Sequence, residues 1–110
     1  MVDFEAKALP EGERFVVSLS GECDLTVRAE LASVLADAVS RSTTVVVDLA
    51  GLAFLDSSGV HEFVTAYHAA RQRGGHLYVR NASGIVDAVL DVTGIGQLLS
   101  QPAGEGDSDR

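Results

Sequence analysis

Two adjacent hydroxyl groups beside a carboxylate form the stretch of this sequence best suited to chemistry. Asp56, Ser57, Ser58 and Gly59 follow an apolar run that ends at Leu55, and they precede a run with helical spacing. Asp56 or Ser57 can cap that helix, which leaves free backbone N–H groups at its positive end. A phosphate esterified to a serine here would meet those N–H groups and the helix dipole. The residues alone therefore allow an ordinary helix cap or a phosphorylation site.

The charge of the chain indicates what such a phosphate would do and which partners fit. The formal net charge of the 110 residues is −8. A phosphoserine would add about −1.5 to −2 charges to a surface that already carries Asp24 and Asp56. The acidic balance argues against nucleic acid, which requires clustered Lys and Arg, and against an anionic membrane surface. An acidic domain of this kind is more typical of a cytosolic solute or of a partner for a basic protein surface.

The histidines do not complete a catalytic or metal site. Ser57 and His61 lie four residues apart, as a nucleophile and its base would on a helix. A triad also needs an orienting third group and an oxyanion hole, and neither can be identified. His61, His68 and His76 lack the spacing of zinc ligands and are predicted to lie on the surface. We expect no enzyme activity, no metal and no cofactor.

Other acidic and cysteine-containing stretches are equally incomplete. Asp48 and Asp56 could belong to an aspartyl-phosphate receiver only with an acidic cluster after the first strand, which the sequence lacks. Residues 21–24 contain one glycine and no lysine, so they are not a phosphate-binding loop. Cys23 is the only cysteine, which excludes an internal disulfide, and we interpret it as a small core residue.

The cellular location follows from what the sequence lacks. A single cysteine fits a reducing compartment. The N-terminus has no basic region followed by an apolar run, and no apolar stretch approaches the roughly 20 residues that span a bilayer. Hydrophobic residues make up 46% of the chain, enough for one core. We expect a soluble cytoplasmic domain.

The N-terminal half predicts two strands and a helix that lead toward the candidate site. Residues 2–8 alternate between apolar and polar, and residues 14–20 form a second strand after a turn with Pro and Gly, so the two should pair as a hairpin. Residues 21–24 should break the second strand. Apolar spacing then predicts an amphipathic helix over 26–40, with Thr26 as its cap.

The C-terminal half supplies the strand that carries the candidate site. Residues 44–49 lack alternation, which indicates a strand covered on both faces, and a short apolar loop should follow. The helix that starts at the Asp-Ser-Ser-Gly step should end near Gly74-Gly75. Residues 76–80 predict a further strand, and Ser83 should cap a short third helix.

The end of the chain changes in composition. Residues 93–96 predict a turn, and Leu98-Leu99 should add a last apolar contact. From Gln101 onward the sequence is rich in Pro, Gly, Ser and acidic residues. We predict one domain over residues 1–100 and a disordered acidic tail over 101–110.

The order of the elements predicts an α/β fold. A mixed sheet of about four strands should combine an N-terminal hairpin with two parallel crossover units. Functional residues of such sheets lie beyond the carboxyl ends of the parallel strands. Asp24 and Ser57 both follow such ends, so we expect them at the same edge.

Several stretches between residue 2 and about residue 99 resemble the STAS domain, most closely the small single-domain anti-sigma factor antagonists of bacteria. The Asp-Ser-Ser-Gly signature after a Val-rich strand is the most specific of them. The matching stretches are Gly21-Glu22-Cys23-Asp24, Val46-Val47-Asp48-Leu49, Phe54-Leu55-Asp56-Ser57-Ser58-Gly59-Val60, Gly74-Gly75 and Thr93-Gly94-Ile95.

The resemblance implies a regulatory switch. Its unmodified form would bind an anti-sigma factor that is also a serine kinase, which releases a sigma factor. The kinase would use ATP to phosphorylate Ser57, which weakens the complex, and a phosphatase would reset it. The chain would be a substrate and not an enzyme. By motif position, the partner-binding residues would be Asp24, Asp56, Ser57, Ser58 and Gly59.

Three departures from the family pattern bear on the choice of partner, and two other functions are considered as well. Cys23 replaces the usual leucine, His61 follows Val60 where an apolar or small residue is common, and an acidic tail replaces the usual final strand and helix. One alternative is a STAS scaffold or regulatory subunit of a transporter or stress-signalling assembly. Another is a module that binds a small ligand near Ser57 and Asp24. The sequence does not specify the kinase, the sigma factor or the oligomeric state.

Overall fold

A four-stranded sheet in chain order carries the fold. The computed structural model describes residues 3–100. The strands lie side by side in the order of the chain. They are β1 (Glu5–Glu11), β2 (Arg14–Cys23), β3 (Thr44–Leu55) and β4 (His76–Arg80). β1 pairs antiparallel with β2, whereas β2, β3 and β4 run parallel. The predicted hairpin, the two crossover units and the α/β class are confirmed.

Between residues 3 and 100 the structure has four helices, of which two connect the parallel strands and two follow β4. A short 3₁₀ turn, Leu25–Val27, precedes the first of them. The helices are α1 (Arg28–Arg41), α2 (Ser57–Gln72), α3 (Gly84–Thr93) and α4 (Ile95–Leu99). All four contribute buried side chains to one apolar core that they share with β2, β3 and β4. Burial of this core is the main force that holds the strand ends, and hence the candidate site, in place.

The central strand β3 is buried on both faces, as its unbroken valine run predicted. Val45 and Val47 belong to the core that the helices share. Val46 is only 3% exposed but lies outside that core, on the opposite face of the pleated sheet. There it stands in register with Val16 of β2 and Tyr78 of β4, which are buried as well.

The predictions for the ends of β2 and β3 were wrong, because both strands continue further. Residues 21–24 do not break β2, which runs to Cys23. The apolar loop predicted after Leu49 is instead the second half of β3, which ends at Leu55. The two extensions pair with each other after shifts in register. Such pairing depends on contacts between distant residues, which local periodicity does not reveal.

The helix starts also differ from prediction in two places. The helix expected over 26–40 begins at Arg28, after the 3₁₀ turn, and Thr26 is not its cap. Asp24 caps that turn instead. Ser83 does occupy the N-cap position of α3, as predicted, but its side chain makes no capping hydrogen bond.

The predicted turn over 93–96 is shorter than expected. Gly94, at a φ of +76°, ends α3, and α4 begins directly after it. Leu99 of α4 is fully buried, as predicted for the last apolar contact, whereas Leu98 is 40% exposed and does not share in it. The acidic tail predicted over 101–110 lies outside the described residues.

Candidate functional site

The ends of β2 and β3 bring the two predicted aspartates to one edge of the sheet. Cys23 and Leu55, the last residues of the two strands, are register partners. The backbone N–H of Asp56 donates to the carbonyl oxygen of Cys23 at 3.2 Å. Asp24 and Asp56 therefore follow directly on neighbouring strand ends. The expectation that Asp24 and Ser57 share an edge is confirmed.

Asp56 caps helix α2. Its backbone is extended, and its Oδ1 accepts hydrogen bonds from the N–H groups of Ser58 at 3.0 Å and Gly59 at 3.3 Å. The hydroxyl of Ser58 donates to the same oxygen at 2.6 Å. Of the two capping residues that the sequence allowed, Asp56 is the cap, and Ser57 is the first residue of the helix.

The hydrogen bonds to Asp56 also determine its protonation. Burial alone would raise the pKa of this carboxyl group. Hydrogen bonds from the Ser58 hydroxyl and from the backbone N–H groups of Gly59, Ser58 and Leu25 outweigh burial and lower the pKa below its ordinary value. Asp56 is therefore a charged carboxylate at neutral pH, beside the first residue of α2.

The two serines of the step have different environments. The Ser58 hydroxyl is engaged by the Asp56 carboxylate and is partly buried. Ser57 is exposed, and its hydroxyl makes no hydrogen bond to any residue between 3 and 100. Ser57 thus presents a free hydroxyl at the positive end of α2, where an added anion is electrostatically favoured.

Gly59 allows the first turn of α2 to pack closely on the strand ends. It is buried, and a Cβ atom there would lie 2.5 Å from Leu55 Cδ1 and 2.9 Å from Cys23 Sγ. The missing side chain therefore faces the interior and not the approach to Ser57. Gly59 positions the helix, whereas Ser57 lies on its outer side.

Cys23 is the core residue that the sequence predicted. It is fully buried. Burial, with the charges of Asp56 and Asp24 adding to it, raises the pKa of the Cys23 thiol to about 12. At neutral pH the group is a neutral thiol that fills space beneath Gly59, so it is not a nucleophile.

A second aspartate cap lies beside the first. Asp24 Oδ1 accepts from the backbone N–H of Thr26 at 3.0 Å and from its hydroxyl at 2.6 Å. This pattern repeats the one that Asp56 makes with Ser58. It leaves Leu25, between Asp24 and Thr26, with 64% of its surface exposed. Sequence reasoning missed Leu25, although an apolar residue next to a capping aspartate was a usable signal.

Asp48 does not belong to this site. It lies within β3, where its carboxylate accepts hydrogen bonds from Arg80 and Asn81. Burial would raise the pKa of Asp48, but these bonds, the one from the Ala50 N–H and the charge of Arg80 together lower it. The receiver-like pair of Asp48 and Asp56 considered from the sequence is therefore not assembled.

The described part of the chain offers no cluster of metal ligands. Between residues 3 and 100, no group of three or more His, Cys, Asp or Glu side chains could hold a metal ion. The ring of His68 packs edge-on against Tyr67, and His76 contacts Arg71 and stacks on Tyr78. Within the same residues, every helix is too short or too polar to cross a membrane.

Comparisons with known proteins agree with this fold. A family model described as "Mlab, STAS domain" matches residues 10–100. The chain belongs to this STAS domain family. Over 99 residues it is 27% identical to a Staphylococcus epidermidis protein named anti-sigma-B factor antagonist, and the match covers 89% of this chain and 92% of the relative.

Two solved structures have the same fold. One is the anti-sigma factor antagonist SpoIIAA in its unphosphorylated form, with a TM-score of 0.75, 24% identity, and coverage of 98% of this chain and 95% of that one. The other is the Bacillus cell fate determinant SpoIIAA in the phosphorylated form. It matches with a TM-score of 0.68, 23% identity, and coverage of 98% and 100%.

Proposed function

We propose that this protein is an anti-sigma factor antagonist controlled by phosphorylation of Ser57. The unphosphorylated form binds an anti-sigma factor serine kinase in the bacterial cytoplasm and frees the sigma factor. The kinase then phosphorylates Ser57 with ATP, the complex weakens, and a phosphatase restores the first state. The chain is a substrate and a binding partner, and it carries out no chemistry itself.

One observation favours Ser57 over Ser58 as the acceptor of the phosphate. The Ser58 hydroxyl donates to Asp56 at 2.6 Å, whereas the exposed Ser57 hydroxyl has no partner among residues 3–100. A kinase must bring the accepting oxygen in line with the γ-phosphate. For Ser58 this would break a charge-assisted hydrogen bond within the helix cap, and for Ser57 no bond is lost.

The surroundings of Ser57 explain how a phosphate could switch binding without unfolding the domain. At the first position of α2 the helix dipole favours negative charge by up to about 1 kcal/mol. On the outside, about two added charges would join the carboxylates of Asp24 and Asp56. A partner fitted to the unmodified edge would meet a bulky, strongly hydrated dianion where it had met a hydroxyl, so lost fit and the cost of desolvating the phosphate weaken the contact. Asp24, Asp56, Ser57 and Ser58 are thus proposed to border the docking surface, with Gly59 holding α2 in position.

The relatives support this proposal by their names. The Staphylococcus epidermidis relative is named as an antagonist of an anti-sigma factor, and SpoIIAA is described in phosphorylated and unphosphorylated forms. The Asp-Ser-Ser-Gly step occupies the start of α2 in the present chain. The experiment that tests the proposal must distinguish a change in affinity for the partner from a change in the stability of the fold.

A charge-mimicking variant makes that separation. Replacement of Ser57 by Asp should weaken binding to the purified anti-sigma factor kinase at least about tenfold. It should change the free energy of unfolding by less than about 0.5 kcal/mol, because an acid is tolerated at a helix start. Ser83→Asp is the matched control, because it places the same charge at the start of α3.

Two results would contradict the proposal. A large loss of stability in Ser57→Asp would make Ser57 a structural part of the cap. Equal binding by Ser57→Asp and wild type would leave no switch at this position. If the chain instead co-purifies with transporter subunits and binds no anti-sigma factor kinase, the alternative role in another STAS assembly is favoured.

A further inference from the structure

Leu25 is a large apolar side chain left exposed at the edge that carries Ser57. It is 64% exposed, while the leucines of the core, such as Leu31 and Leu55, are buried. It opens the 3₁₀ turn between β2 and α1. A single exposed leucine is ordinary in itself, so its significance depends on how it is held and what surrounds it.

The turn that bears Leu25 is fixed to helix α2 from both sides. Directly before the turn, the backbone N–H of Asp56, which caps α2, donates to the carbonyl oxygen of Cys23 at 3.2 Å. Directly after the turn, Arg28 Nε donates to Glu62 Oε2 of α2 at 3.0 Å. Glu62 is only 8% exposed, so this link is partly shielded from water. The turn and the start of α2 are therefore joined at two points.

The inner hydrogen bonds of the turn add to this fixation. Asp24 accepts from both the N–H and the hydroxyl of Thr26, which closes the loop around Leu25. An apolar group that is held in place before binding loses little conformational entropy when a partner covers it. The backbone of the turn is thus held in place, and it carries Leu25 at the same edge of the sheet as the residue proposed to be phosphorylated.

The charge around Leu25 indicates what kind of surface would cover it. Asp24 precedes it, and the ionised Asp56 follows Leu55, which is the register partner of Cys23 on the neighbouring strand. An apolar side chain between two carboxylates is complementary to an apolar pocket with a basic rim. Binding energy in protein interfaces is concentrated in such buried central residues, with polar groups around them that exclude water.

We propose that Leu25 is an apolar anchor for the anti-sigma factor kinase and that it inserts into an apolar pocket with a basic rim. This inference rests on the proposed function and adds a residue that determines affinity. It also extends the switch: a phosphate on Ser57 adds charge at the border of the contact that Leu25 makes. Leu25 and Ser57 then contact the same surface of the kinase.

The test compares two leucines of nearly equal exposure in the full chain. Leu25→Ala and Leu9→Ala are titrated against each purified anti-sigma factor kinase of the source organism, and the Kd is measured by calorimetry. Leu9 is 66% exposed and lies on β1, away from the carboxyl ends of the parallel strands. We expect Leu25→Ala to raise the Kd at least about tenfold and Leu9→Ala less than about twofold. Both variants should keep the thermal midpoint of the wild type.

The outcomes separate the inference from the proposed function. If wild type binds a kinase and gains phosphate on Ser57 while Leu25→Ala binds equally well, the anchor is refuted and the switch stands. Equal weakening by Leu25→Ala and Leu9→Ala would also refute a specific anchor. If wild type binds none of the kinases, the proposed function fails and the anchor fails with it. A Leu25→Met variant should recover most of the lost affinity, because it restores apolar volume.

Discussion

At the scale of single residues, one carboxylate organises the candidate site. Asp56 accepts from the Ser58 hydroxyl and from two N–H groups of its own helix, and its backbone N–H donates to the carbonyl oxygen of Cys23. It thereby caps α2, joins the start of this helix to the end of β2 and binds the hydroxyl of one of the two serines. The different environments of Ser57 and Ser58 follow from this single side chain.

The protonation of Asp56 should make the free energy of unfolding depend on pH. Its pKa is lower in the folded protein than the ordinary value of 3.8. The unfolded chain therefore takes up the proton first as the pH falls. The stabilisation is complete above about pH 5 and is lost as the pH drops through 3.8 toward the lowered pKa.

The variant Asp56→Asn tests this pH dependence. Asparagine keeps a capping oxygen but does not titrate in this range. The free energy of unfolding, measured by urea denaturation between about pH 7 and about pH 3, should fall less steeply for Asp56→Asn than for wild type. Parallel curves for the two proteins would contradict the role assigned to this carboxylate.

The difference between the two serines could not be read from the sequence. Ser57 and Ser58 have the same side chain, so residue type does not distinguish them. Asp56 and Ser57 are both residue types that commonly cap helices. The choice depends on side-chain direction at the helix start, which only the three-dimensional arrangement defines. The resemblance to STAS domains pointed to Ser57 by motif position, and the free hydroxyl supplies an independent physical reason.

At the scale of elements, the start of α2 is pressed against the ends of β2 and β3. Replacement of Gly59 by Ala would force a Cβ atom to within 2.5 Å of Leu55 and 2.9 Å of Cys23. The buried side chains of Leu55 and Cys23, or the start of α2, would have to shift. We expect a loss of about 1–3 kcal/mol in the free energy of unfolding, as is typical of overpacked sites.

A second glycine provides the control for this prediction. At Gly96 of α4 an added Cβ atom would lie 3.5 Å from its nearest neighbour, an ordinary contact. Gly96→Ala should be neutral or slightly stabilising, because it restricts the unfolded chain. Chemical denaturation of both variants measures the difference. Equal stability of Gly59→Ala and wild type would show that α2 is free to shift, against the close packing described above.

The elements were predicted well where local pattern decides them. The spacing of Val60, Phe63, Val64 and Tyr67 placed α2, and the short alternation over residues 76–80 placed β4. The second halves of β2 and β3 were missed, because they depend on pairing across a register shift. The 3₁₀ turn and α4 were missed because each is shorter than the window over which periodicity is detectable.

At the scale of the whole molecule, the topology followed from the order of elements, but the site's function did not. Parallel crossovers bring strand ends to one edge whatever their sequence, so Asp24 and Ser57 could be expected there. Which partner the edge binds is a matter of surface chemistry that the fold leaves open. That part of the account depends on the family and on the charges around Leu25 and Ser57.

The net charge of the chain gives a prediction for the intact complex. With a formal charge of −8, the protein should bind a basic partner surface more weakly as salt screens the attraction. The Kd for the anti-sigma factor kinase should rise about 3- to 10-fold between about 50 and about 300 mM NaCl. An uncharged solute at equal osmolality is the control. A Kd independent of salt would mean that the acidic edge does not steer this association.

The central claim, a phosphorylation switch at Ser57, is tested most directly by intact mass after incubation with the purified anti-sigma factor kinase and ATP. Wild type and Ser58→Ala should each gain the mass of one phosphate, although the Ser58 variant loses part of its helix cap. Ser57→Ala should gain none. Phosphate on Ser57→Ala, or its absence from wild type under conditions where the kinase binds, would contradict the account.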